Sequence, residues 1–345
     1  MKKHTKKQKV RNLRLQLKKA KRARKIVGHR KHFKFSKKRL SNLIEENKVV
    51  EILAPKEFAL IKQENRDVLL NFLSNIKNRL EKGSKVNISF DDTQILLPCG
   101  TLWATAKIEY LISKYPNKLT CSYPRNDVVH QLFQHIGLLE KLGKHTRKIE
   151  INAENVKHWH YVSGKSTDDV SKFKTLLHSI SLAEATRSGL YESMSEAVTN
   201  TIHWAYKGGQ PKEWRMFAQY IDGKLTVAIC DLGMGIPCSL REKPELKEYF
   251  SSPIHWAKNK RDTSLIEIAV ESNRSKTKLP HRGKGLKDML DLVKSGTVGG
   301  FRIYSNKGAF DYNASSRIEF GKDFKIAING TIIQWQLSVE SNHEQ

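Results

Sequence analysis

The sequence predicts an α/β protein, and three observations lead to this fold class. Residues 86–143 alternate short apolar runs with segments of helical periodicity, as in a sheet covered by helices. The pair Asp222-Gly223 stands between two apolar, β-rich runs, which is a strong hairpin signal. At 345 residues the chain exceeds the size at which single hydrophobic cores usually stop growing, so we expect two folded domains and a tail.

Composition narrows the class of protein further. The sequence has no apolar run long enough to cross a bilayer, and its amino terminus lacks the apolar stretch of a secretory signal. Its four cysteines have neither Cys-x-x-Cys spacing nor the paired His and Cys pattern of a zinc site. We therefore expect a cytoplasmic protein without a membrane span, whose thiols are reduced.

Residues 1–40 form a basic tail with 19 Lys and Arg and no acidic residue, which accounts for most of the formal charge of +27. Such a block is typically disordered until it meets a polyanion, and apolar residues at steps of three and four predict that part of it becomes helical on binding. Nucleic acid, either RNA or DNA, is the expected partner, and an anionic membrane surface would satisfy the same electrostatics. The alternative is a solvated tail that aids solubility.

Two segments follow the tail. Residues 41–84 are predicted to be helical, from apolar residues at helical spacings, with Pro55 dividing the segment. Residues 85–145 resemble a STAS-type domain, the small α/β module of anti-sigma-factor antagonists. The resemblance rests on the strand 87–91, on Thr93, on Gly100-Thr101-Leu102 and on the closing helix around residues 133–138.

The position of Thr101 bears on regulation. In the STAS family a phosphorylatable Ser or Thr sits at the start of the helix after a strand, but the usual preceding Asp is absent and Cys99 stands close by instead. We therefore expect Thr101 to cap a helix rather than to accept phosphate. Residues 146–180 are predicted to be a linker, and the polar, basic run at 144–164 also suits an edge strand.

Residues 181–206 read as one long helix, and one of its faces carries Glu196 and Asn200 a single turn apart. The amide oxygen of Asn200 can bind a hard cation such as magnesium. Glu196 can orient and deprotonate a water or an acceptor hydroxyl for in-line attack on a terminal phosphate. The alternative is a chance pair on a solvated helix face.

Two glycine motifs follow this helix. The second strand of the predicted hairpin (215–221 and 224–230) ends at Asp231, whose carboxylate can accept a hydrogen bond from an adenine amino group. Gly233 and Gly235 would let a flat base approach the backbone, although an ordinary turn has the same composition. Further on, the run Arg282-Gly283-Lys284-Gly285-Leu286 opens a predicted helix, whose free amides and dipole favour phosphate.

The order and spacing of these motifs resemble the N box and the two glycine boxes of the GHKL ATPase family, the Bergerat fold of gyrase, heat-shock chaperones, histidine kinases and mismatch-repair proteins. A closing hairpin with Asn329-Gly330-Thr331 resembles the last strands of that family. The resemblance covers residues 181–340 and implies a two-layer α/β sandwich, with a mixed sheet backed by helices. It also implies a lid within 239–281 that closes over phosphates.

The same resemblance implies a role for each matching position. The cofactors would be ATP and Mg²⁺, with Asn200 on the metal and Glu196 as the catalytic base. The nucleotide would be held by Asn200, Asp231, Gly233, Gly235, Ile236, Arg282, Gly283, Lys284, Gly285, Leu286 and Thr331.

Three functions stay open at this point. The chain lacks a His-Glu phosphoacceptor helix before residue 181, and it ends soon after the last predicted strand, so we expect neither a sensor histidine kinase nor a gyrase-like second domain. The first hypothesis is a regulatory ATPase that acts on a protein or nucleic-acid partner. The second is a protein serine/threonine kinase of the anti-sigma-factor type, and the third is a nucleic-acid-binding adaptor with a structural nucleotide site.

Deletion of residues 1–40 tests the basic tail. The truncated chain is expected to bind RNA or DNA at least about tenfold more weakly at low salt, because phosphate contacts by Lys and Arg release counterions. Titration at two salt concentrations would measure both the affinity and its salt dependence. Equal binding by the full-length and truncated chains would refute a role of the tail.

Overall fold

The computed structural model describes residues 8, 11–12, 14–15, 49–147, 153, 156, 159–179, 182–208, 210–242, 251, 260–271, 285–295 and 299–338. The five described residues of the basic tail are helical and exposed. The rest of the tail, most of the predicted lid, and Arg282, Gly283 and Lys284 of the second glycine motif lie outside the described part. The linker predicted at residues 146–180 is wrong for residues 159–179, which form an edge strand of a sheet followed by two short helices.

The described chain contains twelve strands and nine α-helices. The strands are β1 Val49–Leu53, β2 Glu57–Phe58, β3 Lys85–Ser89, β4 Ile95–Leu96, β5 Leu119–Cys121, β6 Trp159–Gly164, β7 Trp214–Ile221, β8 Lys224–Asp231, β9 Gly299–Ser305, β10 Gly308–Asn313, β11 Ile318–Asp323 and β12 Thr331–Ser338. The helices are α1 Gln63–Glu81, α2 Pro98–Lys114, α3 Asp127–His135, α4 Leu138–Lys141, α5 Lys174–Ser179, α6 Glu184–Asn200, α7 Ile236–Glu242, α8 Asp262–Glu271 and α9 Gly285–Lys294, with a 3-10 helix at Asp168–Phe173 and a π turn at Thr201–Ala205.

The first half of the chain, which we call the parallel unit, comprises β1–β5 and α1–α4. Its strands β1, β3 and β5 form a parallel sheet in the order β1-β3-β5, and β2 pairs with β4. Parallel pairing requires crossover helices, which α1 and α2 supply. The aromatic rings of Phe58, Phe90 and Phe133 meet in its core. The α/β class predicted from residues 86–143 is confirmed.

The prediction of a wholly helical segment at residues 41–84 is wrong. Residues Val49–Leu53 form strand β1, Glu57–Phe58 form β2, and the helix begins only at Gln63. In the run Val-Val-Glu-Ile-Leu the β-branched residues fit a pleated strand, and pairing with β3 decides the structure. A hydrophobic pattern of mixed spacing could not separate this short strand from a helix.

The cap predicted at Thr101 is also wrong. Helix α2 begins at Pro98 with Leu97 as its N-cap residue, and proline at the first helical position is pre-organised for a helix. Thr101 therefore lies inside the helix, where its amide donates to the Leu97 carbonyl. Its side chain is buried, at 1% exposure.

The second half, which we call the antiparallel unit, is built on a seven-stranded sheet in the order β11-β10-β9-β12-β8-β7-β6. The six pairings of the described strands are all antiparallel, so the predicted mixed sheet is wrong. Strands β8 and β9 do run in the same direction, as a helical crossover requires. Strand β12 lies between them and pairs antiparallel with both, so it closes no hairpin with β11.

Both faces of this sheet are covered. Alternate residues of β8 point to opposite faces: Val227 and Ile229 pack in the cluster with α6 and α9, whereas Ala228 and Cys230 pack in the cluster with the parallel unit. Helices α6, α8 and α9 contact the first face and α2 contacts the second. Burial on both sides explains why β8 is a nearly continuous apolar run.

An ionic network centred on the largely buried Glu109 joins the two units. Glu109 of α2 accepts hydrogen bonds from Arg215 Nε at 2.7 Å, Tyr161 at 3.0 Å and Lys141 at 2.5 Å. Burial raises the pKa of the Glu109 carboxyl, but the hydrogen bonds from Arg215 and Lys141 outweigh burial and leave it lowered. The Glu109 carboxylate thus links α2 to α4, β6 and β7.

Among the described residues, no helix combines the length and apolar character needed to cross a bilayer.

Candidate functional site

Glu196 and Asn200 lie side by side at the carboxyl-terminal end of α6. The Asn200 amide nitrogen donates to Glu196 Oε1 at 3.1 Å, and both side chains are half-buried. Directly after Asn200 the helix widens into the π turn Thr201–Ala205. Single π turns are rare and are frequent at functional sites. The predicted carboxylate–amide pair is therefore formed, and it stands where the helix geometry changes.

Gly285, the first residue of α9, lies against the Glu196 side chain. A Cβ atom at Gly285 would come within 2.2 Å of Glu196 Cγ and 2.3 Å of its Oε1. Only glycine permits this approach without moving Glu196. The positive end of the α9 dipole thereby lies beside the carboxylate–amide pair.

Asp231 ends strand β8 on the face of the sheet that α6 covers. It is 5% exposed, and its Oδ1 accepts the Gly233 amide at 2.8 Å. Burial raises the pKa of the Asp231 carboxyl to about 6, against the opposing effect of hydrogen bonds from Gly233 and Thr331. At neutral pH this carboxyl is therefore mostly ionised, and it is a buried hydrogen-bond acceptor.

Thr331 and Ser305 extend this polar row across the sheet. Thr331 pairs with Asp231 of β8 on one side and with Ser305 of β9 on the other. The hydroxyl oxygens of Ser305 and Thr331 are 3.1 Å apart, and both residues are buried. Three oxygen-bearing side chains of adjacent strands thus line one end of the sheet.

The loop after β8 connects Asp231 to the end of α6. The Met234 amide donates to the Ala205 carbonyl at 2.7 Å. A Cβ atom at Gly233 would come within 2.2 Å of that carbonyl oxygen, so glycine is needed for the close approach. Gly235 has a left-handed φ of 81°, and its Cα faces the Asn306 amide. Sterics thus explain why glycine stands at both positions of the predicted motif.

Ile236 and Leu286 connect the two glycine motifs. The Ile236 amide donates to the Ser305 hydroxyl at 2.8 Å. The Ile236 and Leu286 side chains belong to one small apolar cluster with α7 and α8. The residues of the predicted site that the structure describes therefore converge on the end of α6 and the adjoining end of the sheet.

Ser305, Asn306 and Tyr206 were not predicted. The Tyr206 hydroxyl accepts the Leu232 amide at 3.1 Å and donates to the Glu213 carbonyl at 2.6 Å, so it holds the start of the glycine loop. Asn306 donates to the Met234 carbonyl at 2.9 Å. The run Ser-Asn-Lys-Gly at 305–308 was a turn signal, but nothing in it indicated a contact 72 residues away.

A cavity of about 290 Å³ lies elsewhere, beside edge strand β6. Its lining includes His135, Trp159 and Phe173 and contains no carboxylate. None of the residues described above at the end of α6 lines this cavity, so the two sites are separate.

No family model matches this chain, and a search of curated proteins found no significant similarity.

Alanine at the glycines tests the geometry of the site. Gly233→Ala is expected to lower the free energy of unfolding by about 2 kcal/mol, because its Cβ would meet a backbone carbonyl that is already hydrogen-bonded. Gly285→Ala is expected to cost less than about 1 kcal/mol, because the Glu196 side chain can rotate away and alanine favours a helix. Urea denaturation would measure both.

Gly208→Ala is the matched control, since a Cβ there meets open space. Equal losses of stability for Gly233→Ala and Gly208→Ala would contradict the described approach of the loop to Ala205.

Proposed function

We propose that residues 181–340 bind magnesium ATP in the manner of the GHKL family and that the protein is a regulatory ATPase. The proposal rests on one observation, which is that three motifs meet at the end of α6. Gly285 contacts the Glu196 side chain, and Glu196 is hydrogen-bonded to Asn200. The Ala205 carbonyl, a few residues further along, accepts the amide of Met234 in the loop after Asp231. Motifs separated by up to 89 positions in sequence meet there, as a nucleotide site requires. Reduced thiols and a cytoplasmic location fit such a function.

The residues present fit both cofactors. The hydrogen bond to Glu196 uses the amide nitrogen of Asn200, so the carbonyl oxygen, which magnesium prefers, is not spent on it. Among the described residues no group of three His, Cys, Asp or Glu side chains is arranged to hold a metal ion. A single protein ligand is compatible with magnesium, which keeps several waters and binds phosphate oxygens.

The adenine ring of ATP would be held by Asp231. Its Oδ1 accepts the Gly233 amide, which orients the carboxylate, and a carboxylate has further lone pairs that could accept the amino group of adenine. Thr331 beside it fixes the same carboxylate. The absence of side chains at Gly233 and Gly235 would keep the approach of a flat ring open.

Glu196 would supply the base catalysis. Oε1 is held by Asn200, so the carboxylate is oriented and its second oxygen can take a proton from a water. Bound ATP would supply the electrophilic terminal phosphate and the magnesium that neutralises its charge. Arg282, Gly283 and Lys284, which belong to the same proposed site, lie outside the described residues.

The finer fold assignment belongs to the same proposal. Helices on one face of the sheet support a GHKL-type sandwich, and the parallel sheet with α2 and α3 supports a STAS-like domain before it. The antiparallel pairing of all seven described strands of this sheet departs from the mixed sheet that the family implies. The burial of Thr101 argues against a phosphate acceptor at that position, which favours hydrolysis over transfer to the parallel unit.

Incubation with labelled ATP separates the three functions. Free phosphate supports the ATPase, labelled protein supports the kinase, and neither product supports the nucleic-acid-binding adaptor. Binding without turnover would be measured separately by calorimetry.

Two substitutions separate binding from chemistry. Asn200→Ala is expected to abolish the magnesium-dependent part of ATP binding, measured by calorimetry with and without Mg²⁺. Glu196→Gln is expected to retain binding and to lose about 100-fold in turnover, because general base catalysis contributes that much or more. Glu192→Gln, one turn earlier and exposed, is the matched control.

An unchanged magnesium dependence in Asn200→Ala would defeat the metal assignment. Equal turnover in Glu196→Gln and Glu192→Gln would defeat the assignment of the base.

The pH dependence tests Asp231. With a pKa of about 6, the carboxylate accepts a hydrogen bond fully at pH 7.5 and is mostly protonated at pH 5, so ATP affinity is expected to fall about tenfold over this range. Asp231→Asn keeps an acceptor oxygen and does not titrate. The ratio of the ATP affinity of Asp231→Asn to that of the native protein is therefore expected to rise as the pH falls. Ionisation of ATP affects both proteins equally and does not change this ratio. A constant ratio would contradict the role of Asp231.

A further inference from the structure

Arg66 is a fully buried arginine that no sequence motif singled out. It projects from α1 of the parallel unit and is 0% exposed. Its guanidinium lies 4.1 Å from the centre of the Phe324 ring and 5.8 Å from that of Tyr304. Burial lowers the pKa of the guanidinium to about 10, which still leaves it protonated at neutral pH.

The hydrogen bonds of Arg66 go to backbone carbonyls of the antiparallel unit. Its NH2 group donates to the Asn306 carbonyl at 2.9 Å and to the Ile326 carbonyl at 3.4 Å. Nε and NH1 are buried without a hydrogen-bond partner among the described atoms. Burying a cation this way costs free energy, and the favourable charge of the neighbouring Asp67 does not offset the loss of water. Such an arrangement is poorly explained by stability alone.

The acceptor residue, Asn306, also holds the glycine loop of the candidate site. Its side-chain nitrogen donates to the Met234 carbonyl at 2.9 Å, and its side-chain oxygen accepts the Gly330 amide at 3.4 Å. Asn306 has a left-handed φ of 51°, a conformation that its surroundings must maintain. One residue therefore connects the Arg66 guanidinium to the backbone of the Gly233–Gly235 loop.

A second contact from the parallel unit reaches the neighbouring turn. Lys107 of α2 donates through Nζ to the Asn329 carbonyl at 3.4 Å, next to Gly330. The Gly330 amide and carbonyl are in turn bonded to Asn306. Arg66 and Lys107 of the parallel unit thus bond to the turns at Asn306 and Asn329 of the antiparallel unit. The Asn306 turn also contacts the Gly233–Gly235 loop.

We propose that Arg66 is a positioning residue for the candidate nucleotide site: by holding the Asn306 carbonyl, it fixes the Gly233–Gly235 loop and couples nucleotide affinity to the docking of the parallel unit. The coupling to affinity rests on the proposed function. The effect on the loop does not, because it is a property of the protein without nucleotide.

Hydrogen exchange and nucleotide titration of Arg66→Met test the proposal. Methionine is similar in length and packs well against aromatic rings, so the core between Phe324 and Tyr304 is retained while the donors are lost. Exchange of the amides in residues 232–238 is expected to become about tenfold faster, because a charged hydrogen bond that holds the loop is removed. ATP affinity is expected to fall about fivefold, and Arg66→Lys, with one donor group, is expected to be intermediate.

Arg79→Met is the matched control, as Arg79 is an exposed arginine of the same helix. Amides of α2 provide an internal reference, since a general loss of stability would speed their exchange as well. Should Arg66→Met fail to fold, Arg66→Lys carries the test: it keeps the charge and the aliphatic stem but not the guanidinium geometry, so faster exchange of residues 232–238 than in the native protein is again expected. Asn306→Gly, which keeps the carbonyl for Arg66 but releases Met234, tests the second link separately.

Unchanged exchange at residues 232–238 in a folded Arg66→Met protein would overturn the positioning role. Faster exchange with unchanged ATP affinity would overturn the coupling. If the native protein binds no ATP, the proposed function fails, and the exchange comparison alone still decides whether Arg66 holds the loop.

Discussion

The close approach of two glycine-bearing segments to the end of α6 is the constraint on which the candidate site depends. Gly233 lies against the Ala205 carbonyl and Gly285 lies against Glu196, each at a separation that admits no Cβ atom. Gly233 follows strand β8, and Gly285 is the first residue of helix α9. The two contacts therefore bear on how β8 and α9 pack on α6. The contact at Gly233 is with backbone and is rigid, whereas the contact at Gly285 is with the Glu196 side chain and sets how closely α9 approaches that carboxylate.

Electrostatics at the other end of the site follow from burial. Asp231 lies between Thr331 and the α6 side of the core, and the loss of water raises the pKa of its carboxyl. The sign of this shift means that the folded protein loses stability as the pH rises from the ordinary carboxyl pKa of 3.8 to about 6. A group retained at such a cost is commonly functional, although buried ion networks also shift pKa values.

Local features were predictable from the sequence and non-local ones were not. The β7–β8 hairpin could be predicted because the pair Asp-Gly favours a turn in which both residues have left-handed φ values. Asp222 and Gly223 do adopt such values. Helix α9 was predicted from its period and its opening glycine. Strand β1 was missed because its identity comes from pairing with β3, and the insertion of β12 between β8 and β9 is decided by contacts across about a hundred residues. For the site, side chains of the right chemistry could be proposed, but their supports Ser305, Asn306 and Tyr206 could not.

The covered second face of the sheet changes how the two halves relate. A sheet with helices on one face only could function alone, whereas here β8 buries Ala228 and Cys230 beneath the parallel unit. The same strand carries Asp231 at its end, so removing the parallel unit would expose the apolar underside of the site's own strand. Glu109 also ties the two units together, because Arg215 donates to it and would keep only the more exposed Glu213 as an ionic partner if the units separated. The parallel unit is therefore part of the physical support of the candidate site, and any partner that displaced it would act on the site through β8.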